Sequence, residues 1–124
     1  MSQKIAITGM GIISSFVNNV ADNFISLTTG KHGISDIEMF ETRHKGNIKT
    51  GEIKLSNEEL VQKLQLSEDN NATRTTLLGM IAAKEAVESA GISDINEYKT
   101  GLISSTSVGG MDMTEKYFYT YEDF

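Results

Sequence analysis

Apolar positions gather in two short segments near the ends of the chain and three helically spaced stretches between them. Lys4 to Ile7 is a short apolar segment that leads into Thr8-Gly9-Met10-Gly11 and then Ile12-Ile13, the pattern of a buried strand entering a glycine turn. Asn18 or Asn19 can cap a helix whose apolar residues Val20, Phe24 and Leu27 follow i, i+4, i+7 spacing, with Gly30 where a left-handed terminal residue belongs. From Lys31 to Lys54 the periodicity is poor, and Gly51-Glu52-Ile53-Lys54 reads as a short edge strand. Ser56-Asn57-Glu58-Glu59 has the form of a capping box, followed by a short helix through Leu60, Val61 and Leu64 and a polar linker from Ser67 to Asn71.

The longest helix is predicted from Ala72 to Ala90, stopped by Gly91. On a helical wheel Gly79, Ala82, Ala83, Ala86 and Ala90 form one narrow stripe, flanked by Leu78, Met80 and Val87, while Lys84, Glu85 and Glu88 lie opposite. A stripe of small side chains lets a helix approach another element closely. Thr100 to Thr106 reads as a second buried strand that runs into Ser107-Val108-Gly109-Gly110. The order strand, helix, helix, strand is an α/β pattern, with the two strands expected to be parallel and joined by a right-handed crossover.

Composition narrows the function. The 124 residues include no Cys, Trp or Pro, which removes disulfides, thiolate metal sites and a cysteine nucleophile from this stretch. Eleven Lys+Arg against seventeen Asp+Glu give a net charge of −6, a poor match to nucleic acid or to an anionic membrane. No apolar run reaches the roughly 20 residues of a membrane span, and the start of the chain lacks the form of a signal peptide. A cytoplasmic location is therefore expected.

Four features invite a chemical reading. Gly9-Met10-Gly11 after a strand suggests a dinucleotide-binding turn, but Ser14 occupies the place of the third glycine, and a plain glycine turn is the stronger reading. His32 and His44 lie in polar, glycine-flanked or basic surroundings with no carboxylate at a telling spacing, and read as solvated. Ser104-Ser105-Thr106-Ser107 places hydroxyls at a strand end before Val108-Gly109-Gly110, a composition suited either to a ligand crevice or to an ordinary polar turn. Five of the nine aromatic residues fall between Tyr117 and Phe124, which suggests a chain that stops inside a fold.

Five motifs then resemble one family in order and spacing. Lys4 to Ser14 looks like the opening strand of the β-ketoacyl-acyl carrier protein synthases, and Phe24, Leu27 and Gly30-Lys31-His32-Gly33-Ile34 are similar to their first helix and its glycine exit. Gly51-Glu52-Ile53, the alanine-rich Ala82–Ile92 and Gly101–Met111 resemble the three motifs that follow. The resemblance covers nearly all of this chain and about the first third of such a catalytic chain.

It implies part of a thiolase-like fold, the N-terminal segment of the first α/β half, with residues 1–124 as a single segment and no second domain. It further implies a homodimer, acyl carrier protein as partner, no cofactor, and a decarboxylative Claisen condensation through an activated cysteine and two histidines. Those groups are expected downstream, so no catalytic residue is assigned here, and the segment alone is expected to be inactive. By the same resemblance Val108 lines the acyl-chain pocket, with Gly109 and Gly110 allowing close backbone approach. One departure is Ser15-Phe16-Val17, where the family usually has a proline and a glycine. A non-catalytic partner subunit and a Rossmann-like nucleotide binder remain as alternatives.

Overall fold

Short side chains at the helix starts explain where the helices begin. In the computed structural model, which describes residues 4–120, α1 (Val20–Thr28) is capped by Asn19, whose Oδ1 accepts from the Asp22 amide at 2.8 Å. The predicted box forms at α2 (Asn57–Leu64): the Glu59 amide donates to Ser56 Oγ at 3.2 Å, and the Ser56 amide donates to Glu59 Oε2 at 2.7 Å. Thr73 caps the long α3 (Arg74–Ser89) through the Thr76 amide. A cap of this kind contributes about 1 kcal/mol. Gly30 and Gly91, both at φ +70°, close α1 and α3 in the left-handed conformation expected of them.

The enclosed core is small. Leu60 of α2 and Leu77 of α3 are fully buried where these helices pack together, and Ile37 is buried nearby in sequence to the hairpin. Burial of each leucine is worth about 2 kcal/mol.

The strands depart from expectation. Neither Lys4–Ile7 nor Thr100–Thr106 carries a ladder, and Ile5 and Ile103 are 97% and 100% exposed. A strand is held by its neighbours, and no described segment pairs with these two. The sheet is instead an antiparallel pair, β1 (Ile34–Asp36) and β2 (Lys49–Gly51), with Ile34 opposite Gly51 and Asp36 opposite Lys49. Thus β2 starts two residues before the predicted edge strand. Ser15 packs against the Gly33 and Gly51 end of the hairpin: a side chain at Gly33 would overlap the Ser15 backbone, and one at Gly51 would come within 3.0 Å of Ser15 Oγ. The residue in place of the expected proline is therefore wedged between two glycines.

Helix α1 also turns the opposite way from its apolar pattern. Phe24 and Leu27 face solvent, whereas Asn23 and Ser26 are buried. Asn23 closes the turn before the helix: its Nδ2 donates to the Val17 and Asn19 carbonyls at 3.1 and 2.8 Å, and its Oδ1 accepts from Ser14 Oγ at 2.6 Å. These partners satisfy a buried amide that would otherwise be costly.

Candidate functional site

The Gly9-Met10-Gly11 turn lies on the alanine stripe of α3. A methyl group at Gly11 would overlap the Ala82 carbonyl oxygen and lie 2.8 Å from the Ala86 nitrogen; one at Gly9 would lie 2.6 Å from the Ala90 nitrogen. The two glycines thus serve close packing of backbone on backbone. Glu85 fastens the same segment. Its Oε2 accepts from the Ile12 amide and its Oε1 from the Val20 amide, both at 2.8 Å, while Ser89 Oγ accepts from the Met10 amide at 3.3 Å. Val20 opens α1, so the carboxylate also meets the positive end of that helix.

A second charged group organises the hairpin. Glu52 is buried, and its carboxylate accepts from the Glu38 amide at 2.8 Å, the Met39 amide at 3.2 Å and Lys54 Nζ at 2.8 Å. Lys54 also approaches Glu38 Oε1 at 3.4 Å. The Lys54 hydrogen bond, helped by the two amides, holds the Glu52 carboxyl below its ordinary range although burial opposes this. The same bond to Glu52 raises the Lys54 ammonium, against its own desolvation.

Arg74, first residue of α3, joins three parts of the chain. Its guanidinium donates to the Ile53 and Leu55 carbonyls and to Asn57 Oδ1, each at 2.9 Å. Its backbone amide donates to Asp112 Oδ2 at 3.0 Å, which ties α4 (Met111–Tyr117) to the start of α3. Between α2, the start of α3 and α4 lies an open cavity of about 650 Å³, lined by Val61, Leu77, Met113 and Tyr117 together with polar groups such as Asn57 and Lys116. Nothing in the local sequence pattern sets Asp112, Lys116 or the apolar floor apart.

The residues assigned by resemblance sit immediately before α4. Val108 is 69% exposed, Gly109 backs onto the Thr106 side chain, and Gly110 precedes α4 at φ +80°. None of the three lines the α2–α4 cavity. Ser104, Ser105, Thr106 and Ser107 are exposed, as are His32 and His44. His44 Nε2 accepts from Arg43 Nε at 3.3 Å. Of the aromatic tail, Phe118 and Tyr119 stack edge to face at 5.2 Å, and Tyr121 and Phe124 lie outside the described residues. Among the described residues no three His, Asp or Glu side chains gather as a metal site, and no helix is long and apolar enough to cross a membrane.

The protein-family model described as "Beta-ketoacyl synthase, N-terminal domain" matches residues 2–123. The chain is 31% identical over 109 residues to 3-oxoacyl-[acyl-carrier-protein] synthase 1 of Haemophilus influenzae, covering 86% of this chain and 26% of that protein. It is 31% identical over 117 residues to 3-oxoacyl-[acyl-carrier-protein] synthase 2 of Staphylococcus aureus strain COL, covering 92% and 28%. The synthase 2 of Coxiella burnetii is 28% identical over 116 residues, with the same coverage of 92% and 28%. The chain therefore spans little more than a quarter of these relatives. No solved structure matches it.

Proposed function

Because the chain belongs to the family of β-ketoacyl synthase N-terminal domains, we propose that it forms the N-terminal part of a 3-oxoacyl-acyl carrier protein synthase. The observation that carries this reading is the unbroken family match over residues 2–123, supported by relatives of that name. The intact protein, a homodimer acting in the cytoplasm, transfers an acyl group to a cysteine thiolate. Malonyl on acyl carrier protein then loses carbon dioxide, and the resulting carbanion attacks the thioester to give a 3-oxoacyl product and regenerate the thiolate. No cysteine occurs in these 124 residues, so the nucleophile belongs to another part of that protein.

The role of this segment is acyl contact. Val108 presents an exposed apolar side chain two residues before Gly110, which stands at positive φ with nothing within 4 Å of where its Cβ would lie, so a ligand can approach the backbone there. The test is condensation of acyl and malonyl thioesters of acyl carrier protein. The intact protein forms the 3-oxoacyl product and residues 1–124 alone form none; turnover by the segment alone, or none by the intact protein, overturns the reading.

A further inference from the structure

We draw no further inference here: the strongest candidate, the open cavity between α2, the start of α3 and α4, carries nothing because the chain spans little more than a quarter of the relatives it matches and nothing in the structure shows what covers that cavity.

Discussion

Gly11 sits against Ala82 so closely that the glycine has no room for a methyl group, since one built there overlaps the Ala82 carbonyl oxygen. The contact is backbone against backbone, and neither side can rotate away. Gly79, one turn earlier on the same helix, has nothing within 4 Å of where its Cβ would lie. The small-residue stripe therefore divides into a packed part, Ala82, Ala86 and Ala90, and an open part at Gly79.

That division gives alanine opposite effects at two glycines. Gly11→Ala is expected to destabilise the protein by about 3 kcal/mol through forced displacement of the turn. Gly79→Ala, in an open helix interior, is expected to stabilise it by about 0.5–1 kcal/mol. Urea midpoints of the intact protein measure both, and a loss of stability at Gly79 would contradict the open geometry.

Glu85 joins the Ile12 and Val20 amides through separate oxygens. Glu85→Ala leaves both donors without their partner and is expected to cost about 2 kcal/mol. Hydrogen exchange gives the sharper reading: both amides lose protection in the alanine variant, and one of them keeps it in Glu85→Gln, whose single carbonyl oxygen still accepts. Equal protection of both amides in Glu85→Ala would show that the carboxylate does not hold them.

The Glu52–Lys54 pair predicts a pH window. Glu52 is lowered in the folded state, so its stabilisation is present above the ordinary glutamate value of about 4 and lost as pH falls through the lower folded value. Lys54 is raised, so its contribution is present below the ordinary lysine value and lost as pH rises through the folded one. Glu52→Gln should weaken stability between these limits and flatten the acid limb of Tm against pH. An acid limb parallel to that of the unsubstituted protein would refute the assignment.

Local signals are legible in the sequence because the groups that satisfy them are near in the chain. Ser56 and Glu59 close their box within one turn, and Gly30 and Gly91 end helices by their own backbone freedom. Lys4–Ile7 and Thr100–Thr106 carry no ladder among the described residues because apolar composition does not by itself supply a neighbour. The apolar spacing of Phe24 and Leu27 misled for a related reason: Asn23 turns inward to serve the Ser14–Val17 turn, a demand invisible in helical periodicity. Helical spacing places Glu85 opposite the small-residue stripe, yet its partners are backbone amides, which carry no sequence signature. The Gly101–Met111 motif carries the family resemblance, whereas the Arg74–Asp112 link depends on a contact 38 residues apart.

The Glu85 bridge has a consequence in time. Ile12 and Glu85 are 73 residues apart, so at about 5–20 residues per second of synthesis the glycine turn waits roughly 4–15 s before its anchor exists. During that interval the turn and the start of α1 lack the carboxylate and the alanine track that later hold them. The early-made turn therefore settles only after the middle of the segment, and substitutions at Gly9, Gly11 or Glu85 should act on the yield of correctly folded chains as well as on the stability of those that succeed.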